Sequence, residues 1–199
     1  MSINVLRADG AWWVERGGGA VRIATDATTT AELLADLKTV RTTAESMDDS
    51  VDVATLSVES PVTTPCRVVA QMVNYRSHAQ ESGFDPAKVS PTFFRKASGS
   101  VVGPTSQIVK PAHVRLLDYE VELGLVIGAP VPVGTVVTEQ DLHEYVAGLV
   151  VTNDISARDV QLTKGQFYES KSYPTFTPVG PALALLEPDE FRRLPDLRL

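Results

Sequence analysis

The chain has 199 residues, of which 43% are hydrophobic and 22% charged, and its net charge is −7. This composition is typical of a globular protein with one sizeable core, and the negative charge argues against nucleic acid as a partner. No apolar run reaches the length of about 18 residues that a membrane span needs, and no leader is expected. Cys66 is the only cysteine, so an internal disulfide and a cysteine-based zinc site are excluded, and the cytoplasm is the expected compartment.

The N-terminal segment, residues 1–60, is predicted to form a small packing domain. Asp9-Gly10 lies between two strand-like runs, a pattern that predicts a β-hairpin. Thr29 is followed three residues later by Glu32, which is the pattern of a capping box and predicts a helix through Leu37. Nothing in this segment has the residue types or the spacing that chemistry requires.

A second domain is predicted over residues 66–199. It opens with Arg67–Val73, a short apolar run typical of a buried strand. His78 and Glu81 follow and are three residues apart, so on a helical turn they share a face and can form a hydrogen bond. A carboxylate raises the basicity of an imidazole, as a general base requires. The alternative, an incidental pair on a solvated helix end, stays open.

The stretch Leu116–Val126 is predicted to be one strand. In a strand Glu120 and Glu122 point to the same face, with Cα atoms about 6.5–7 Å apart. Two neighbouring carboxylates in an apolar environment need a compensating cation or proton, and hard divalent ions prefer oxygen ligands. The alternative is an edge strand whose glutamate pair faces water, so the pattern alone does not decide between a metal site and an exposed edge.

Three further predictions concern the segments after this strand. A helix is expected over Glu139–Ala147, and a short apolar strand over Leu149–Thr152. Asp154 follows that strand, where its carboxylate is either a third oxygen ligand or a turn former. A helical turn, Ala157–Gln161, comes next. Lys96 is either a surface lysine or a pocket cation.

Seven ordered segments resemble the fumarylacetoacetate hydrolase family. They are Asn74-Tyr75 with His78 and Glu81, Phe93-Phe94-Arg95-Lys96, Asp118-Tyr-Glu-Val-Glu-Leu-Gly124, Tyr145-Val-Ala-Gly148, Asn153-Asp-Ile-Ser-Ala-Arg-Asp-Val-Gln161, Lys171-Ser172 and Pro178-Val-Gly-Pro181. Their order and approximate spacing agree with the family from residue 66 to about residue 185. A single Glu-x-Glu would mean little, whereas seven segments in order are specific.

The resemblance implies an α+β, predominantly β fold, a mixed β-roll that holds one Mg²⁺ or Mn²⁺ and is commonly a homodimer. Carried over position by position, the implied metal ligands are Glu120, Glu122 and Asp154. The implied catalytic residues are His78, Glu81 and Lys171, and the implied substrate-binding residues are Tyr75, Arg76, Arg158 and Gln161.

The implied activity is metal-dependent hydrolysis of a C–C bond in a small acylpyruvate or 1,3-dicarbonyl acid. His78, oriented by Glu81, would take the proton from water. The alternatives are an isomerase or decarboxylase of 2-oxo diacids in aromatic catabolism, and a shortened, inactive relative. The strand before His78 supplies Gln71 and Asn74 where fumarylacetoacetases carry an acid, which favours the acylpyruvase branch. The chain ends at Leu199, before further strands of the family, so an incompletely closed roll is expected.

Overall fold

The computed structural model describes residues 2–75, 83, 85 and 90–197. It is an α+β structure dominated by strands, as the sequence predicts. The strands are β1 (Ile3–Ala8), β2 (Ala11–Arg16), β3 (Gly19–Arg22), β4 (Val51–Asp52), β5 (Val58–Glu59), β6 (Val68–Met72), β7 (Thr92–Lys96), β8 (Val101–Val102), β9 (Leu117–Asp118), β10 (Val121–Ile127), β11 (Val146–Asn153), β12 (Ser156–Ala157), β13 (Thr177–Pro178) and β14 (Ala182–Leu185). The helices are α1 (Thr30–Ala35), α2 (Leu37–Glu45), α3 (Leu142–Tyr145), α4 (Arg158–Lys164) and α5 (Phe167–Ser170).

One large sheet organises the described part of the chain. Its strands follow the order β10-β11-β14-β1-β2-β3-β4, and β5 also pairs with β1. β1 and β2 form the predicted hairpin, with Asp9 and Gly10 at φ values of 51° and 70°. Three two-stranded pairs complete the arrangement: β6 with β7, β8 with β13, and β9 with β12. The large sheet therefore carries the strand β10, which bears Glu122, at one end.

The main core lies on one face of this sheet, under α1 and α2. Trp12, Leu33 and Leu183 are almost completely buried in it, and the Trp12 indole donates a hydrogen bond to the Ala27 carbonyl at 2.9 Å. The predicted capping box is confirmed: the Thr29 side chain accepts from the Glu32 amide, and Glu32 accepts from the Thr29 amide. Capping residues and the spacing of apolar residues thus determine where α1 and α2 form, and these helices cover one face of the sheet.

The predicted division into residues 1–60 and residues 66–199 stays a prediction. β1 pairs directly with β14, with Val5 opposite Leu183. The two segments therefore share one sheet and the main core.

Two predicted elements differ from the structure. Leu116–Val126 is not one strand, because β9 pairs with β12 and β10 pairs with β11, and the chain changes partner at Tyr119-Glu120. The helix expected over Glu139–Ala147 is only the single turn α3, since Val146 already belongs to β11. In both places pairing with a distant strand overrides the local pattern. Among the described residues, no helix is both long enough and apolar enough to cross a membrane.

β11 and β14 approach each other closely at Gly148, and a substitution there tests this contact. A Cβ built on Gly148 would collide with the Ala184 carbonyl and lie 3.0 Å from the Leu185 Cα atom. Because neighbouring backbone in a sheet cannot move aside, we expect Gly148→Ala to lower the free energy of unfolding by about 3 kcal/mol. Gly99→Ala is the matched control, since a Cβ there meets nothing within 4 Å. Equal urea midpoints for the two variants would contradict this contact.

Candidate metal and catalytic centre

The change of strand partner at Tyr119-Glu120 positions Glu120 and Asp154, two of the three predicted metal ligands. The Glu120 amide donates to the Asn153 side-chain oxygen at 3.1 Å, and the Asp154 amide donates to the Glu120 carbonyl at 2.8 Å. Glu120 and Asp154 therefore lie beside each other, where β10 and β11 meet the β9–β12 pair. Glu122 lies two residues after Glu120, in β10, where it is opposite Thr152 of β11.

The three acids Glu120, Glu122 and Asp154 form what we call the carboxylate cluster. Burial, together with the negative charges of Glu120 and Asp154, raises the pKa of Glu122 to about 7. Burial is the larger cause, since it disfavours the charged carboxylate, and the neighbouring acids add repulsion. Glu120 and Glu122 therefore interact, as the sequence led us to expect. They lie close to each other and to Asp154 because the chain passes from one strand pair to another at this point.

Lys171 lies between two members of the carboxylate cluster. Its ammonium is 2.6 Å from Oε2 of Glu120 and 2.6 Å from Oδ2 of Asp154, and its side chain is only 4% exposed. The Phe94 ring lies 5.2 Å from the ammonium, a distance at which its π face is attracted to a cation. The structure thus brings Lys171, a predicted catalytic residue, into direct contact with two predicted metal ligands.

Lys96 is a second buried cation at this site, and the sequence alone left its role open. Its ammonium donates to Oδ1 of Asp154 at 2.5 Å and to the Phe176 carbonyl at 2.8 Å. Burial lowers the pKa of Lys96, and the Asp154 carboxylate partly offsets that effect. Strand alternation is the signal that could have found it: Phe94 and Lys96 share the inner face of β7, while Phe93 and Arg95 are exposed.

Arg158, at the start of α4, binds the opposite side of Glu120. Its guanidinium contacts Oε1 of Glu120, donates to Oδ2 of Asp118 at 2.9 Å and donates to the Gln161 side chain at 2.9 Å. Burial opposes the charged form of Arg158, but these acids raise its pKa. Arg158 and Gln161, both predicted to bind substrate, thus contact each other, and Arg158 holds Glu120. Asp118 belongs to the same network and was not among the predicted site residues.

Tyr75 connects the end of the β6 segment to Glu122. Its hydroxyl lies near the Glu122 carboxylate, and burial together with the charge of Glu122 raises its pKa. Tyr75 is 37% exposed, so part of its ring remains accessible beside the carboxylate cluster. This position is compatible with its predicted role in substrate binding, which stays a prediction.

Two β-branched residues near the site adopt backbone conformations that such residues rarely use. Val73 has a φ of 53° and Thr175 a φ of 72°. Val73 lies two residues before Tyr75, and Thr175 directly precedes Phe176, whose carbonyl accepts from Lys96. Phe176 also belongs to a second buried cluster, with Val114, Ile155 and Ala157. Both conformations thus occur in segments that lead into the site.

Three predicted site residues, Arg76, His78 and Glu81, lie outside the described residues. Within the described ranges, each buried side-chain nitrogen and oxygen has a hydrogen-bond partner. Within the same ranges, no three acidic, histidine or cysteine side chains are arranged as a ready metal site. Lysine and arginine side chains bind the oxygens of Glu120 and Asp154.

The fold corresponds to a known class of protein. A family model described as Fumarylacetoacetate (FAA) hydrolase C-terminal matches residues 67–199. The chain therefore belongs to the fumarylacetoacetate hydrolase family, which confirms the resemblance found in the sequence.

The relatives found by sequence are longer than this chain. It is 41% identical over 125 residues to the oxaloacetate tautomerase Fahd2a, mitochondrial, of Rattus norvegicus, a match that covers 62% of this chain and 39% of that protein. It is 36% identical over 137 residues to a fumarylacetoacetate hydrolase domain-containing protein 2 homolog of Dictyostelium discoideum, covering 68% of this chain and 43% of the relative. The chain thus spans less than half the length of these two relatives.

Solved structures confirm the fold. A probable 2-hydroxyhepta-2,4-diene-1,7-dioate isomerase from Mycobacterium abscessus has a TM-score of 0.75 and 29% identity, over 93% of this chain and 64% of that one. A fumarylacetoacetate hydrolase from Exiguobacterium antarcticum has a TM-score of 0.69 and 28% identity, over 95% of this chain and 67% of that one. The named activities of the similar proteins thus include tautomerisation, isomerisation and hydrolysis.

Proposed function

We propose that this chain forms a divalent-metal centre that acts on small 2-oxo acids by moving a proton between carbon and oxygen, as a tautomerase or isomerase. The observation that supports it is the carboxylate cluster, in which Glu122 carries a pKa raised to about 7 beside Glu120 and Asp154. The similarity to an oxaloacetate tautomerase and to a probable dienedioate isomerase favours proton transfer over C–C cleavage.

The donor set suits Mg²⁺ or Mn²⁺. Carboxylate oxygens are the ligands that these hard ions prefer, and Glu120, Glu122 and Asp154 would hold the ion. Its charge would relieve the repulsion that raises the pKa of Glu122. The Lys171 ammonium bridges Glu120 and Asp154, so it would have to shift to free their oxygens for the ion.

A bound divalent ion would supply Lewis-acid stabilisation of the negative oxygen that develops when a proton leaves the carbon next to a keto group. The chain's own residues would do the rest. Arg158 holds the Glu120 carboxylate in place. Lys171 can donate a hydrogen bond to a substrate carboxylate or keto oxygen, and Tyr75 lies at the accessible side of Glu122.

The test is an assay of purified protein with Mg²⁺ on oxaloacetate. We expect faster interconversion of its keto and enol forms, followed by ultraviolet absorbance, and loss of this rate in EDTA. Bound metal without turnover of oxaloacetate or of an unsaturated 2-oxo diacid would contradict this function and favour an inactive relative.

Hydrolysis of an acylpyruvate is the second candidate, favoured by the similarity to the Exiguobacterium antarcticum hydrolase. It requires a base that activates water, and His78 with Glu81 is the predicted pair. We expect His78→Ala to keep metal affinity and to lose hydrolysis by about 100-fold or more, measured as pyruvate release. Hydrolysis at the wild-type rate in this variant would exclude His78 as the base.

We also propose that the protein is a homodimer, on the basis of its family alone, and that it is cytoplasmic, on the basis of its single cysteine. Sedimentation equilibrium tests the assembly, and a monomer at all concentrations would exclude it.

A further inference from the structure

Phe94 is the aromatic neighbour of Lys171, a predicted catalytic residue. The centroid of its ring is 5.2 Å from the Lys171 ammonium. In β7, Phe94 shares the inner face with Lys96, whereas the adjacent Phe93 is 60% exposed on the outer face. Strand alternation therefore directs one of two neighbouring phenylalanines at the site and the other away from it.

A second contact joins Phe94 to the helix that precedes Lys171. The rings of Phe94 and Phe167 are 5.2 Å apart, with an angle of 37° between their planes. Phe167 begins α5, and its carbonyl accepts from the Lys171 amide at 3.0 Å. Phe94 thus contacts the side chain of Lys171 and also the turn that positions the Lys171 backbone.

The Phe94 ring attracts the ammonium without acting as an ordinary hydrogen-bond acceptor. A lysine ammonium has three N–H donors, and the carboxylates of Glu120 and Asp154 accept two of them. The attraction between a cation and a ring face is electrostatic and needs no directed N–H group. An aromatic residue at this position therefore holds the charge of Lys171 and leaves its third donor for another acceptor.

We propose that Phe94 is a positioning residue for Lys171. Its ring holds the ammonium beside Glu120 and Asp154, so that the third N–H is available to a carboxylate or keto oxygen of a 2-oxo acid. The contacts lie within the chain, so the positioning can be tested in EDTA. The part that concerns substrate rests on the proposed function, in which Lys171 donates to a substrate oxygen.

The first experiment is a double-mutant cycle, measured by urea denaturation in EDTA, with Phe94→Leu, Lys171→Met and the double variant. Phe94→Leu keeps an apolar side chain and removes the ring face. We expect it to lower the folding equilibrium constant about fivefold more in the wild-type background than in the Lys171→Met background. Phe93→Leu, the same change on the outer face of β7, is the matched control and should have equal effects in both backgrounds.

A second measurement needs only single variants and keeps the test decisive if the double variant does not fold. The Lys171 side chain is 4% exposed, so it should react slowly with an amine-modifying reagent, followed by peptide mass spectrometry. We expect Phe94→Leu to raise this reaction rate about fivefold, and Phe94→Tyr, which keeps the ring, to leave it near the wild-type rate. On oxaloacetate, Phe94→Leu should lower kcat/KM by about tenfold or more, and Phe94→Tyr should not.

The outcomes separate this inference from the proposed function. Equal costs of Phe94→Leu in both backgrounds, or equal reaction rates of Lys171 in wild type and Phe94→Leu, overturn the role of Phe94, whether or not the protein turns over oxaloacetate. The expected coupling with an unchanged kcat/KM overturns the part that concerns substrate. Wild-type protein that turns over neither oxaloacetate nor an unsaturated 2-oxo diacid overturns that part and the proposed function together.

Discussion

Glu122→Gln should abolish most metal binding and, in the absence of metal, make the protein more stable. The variant removes one of three oxygen ligands that would carry charge, so we expect the affinity for Mg²⁺ to fall by about 100-fold or more. In EDTA the same change removes a carboxylate that is buried near Glu120 and Asp154, so the repulsion disappears. Calorimetric titration measures the first effect and urea denaturation in EDTA the second.

The pH dependence of this stability difference has a definite sign. The pKa of Glu122 in the folded protein is raised from 4.5 to about 7, so between these values the folded state binds a proton that the unfolded state has lost. The contribution of this group to stability is therefore full below pH 4.5 and is lost as the pH rises to about 7. The stability gained by Glu122→Gln in EDTA should be small at the lower limit and largest above pH 7.

In saturating Mg²⁺ the wild type should be more stable than Glu122→Gln, which is the reverse of the order expected in EDTA. An ion that binds only the folded state stabilises it in proportion to the logarithm of its concentration relative to the dissociation constant. The wild type gains this stabilisation and the variant does not. A variant that is less stable than the wild type in EDTA above pH 7, or that binds Mg²⁺ normally, would show that Glu122 is not a ligand of this cluster.

Lys171→Met should be the most destabilising change of charge in the described part of the site. The ammonium of Lys171 is 2.6 Å from both Glu120 and Asp154 and is nearly inaccessible to water. Removing one partner of a buried ion pair leaves uncompensated charge, so we expect the free energy of unfolding in EDTA to fall by about 3 kcal/mol. Added Mg²⁺ should restore part of this loss, because the ion can compensate the same two carboxylates.

The control for Lys171 is Lys164→Met. Lys164 pairs with Glu169 at 2.5 Å, but the two side chains are 50% and 41% exposed. An ion pair in that environment contributes little to stability, because water screens it. Urea denaturation of both variants in EDTA gives the comparison, and a loss below 1 kcal/mol for Lys171→Met would mean that Arg158 and Lys96 compensate the acids without it.

Local pattern was sufficient where one segment determines its own structure. The capping box at Thr29 and Glu32, the hairpin at Asp9-Gly10 and the strand Val68–Met72 all follow from residues within a few positions of each other. The expected burial of that strand was wrong, because its residues alternate between half-buried and exposed, with Val69 58% exposed. The prediction failed at Leu116–Val126, where alternation continues through Tyr119-Glu120 but the pairing partner changes. No local signal marks that change, because it depends on where β11 and β12 lie.

The sequence by itself determined the family and the strand-dominated fold, since these follow from residue types in a fixed order, and it predicted Glu120, Glu122 and Asp154 as ligands. Only the tertiary structure decided which cations meet them. Lys96 lies 58 positions from Asp154, and Lys171 lies 51 positions from Glu120. Ion pairs between residues so far apart in sequence produce no periodic pattern in the chain, because the folded sheet and the second buried cluster bring the partners together.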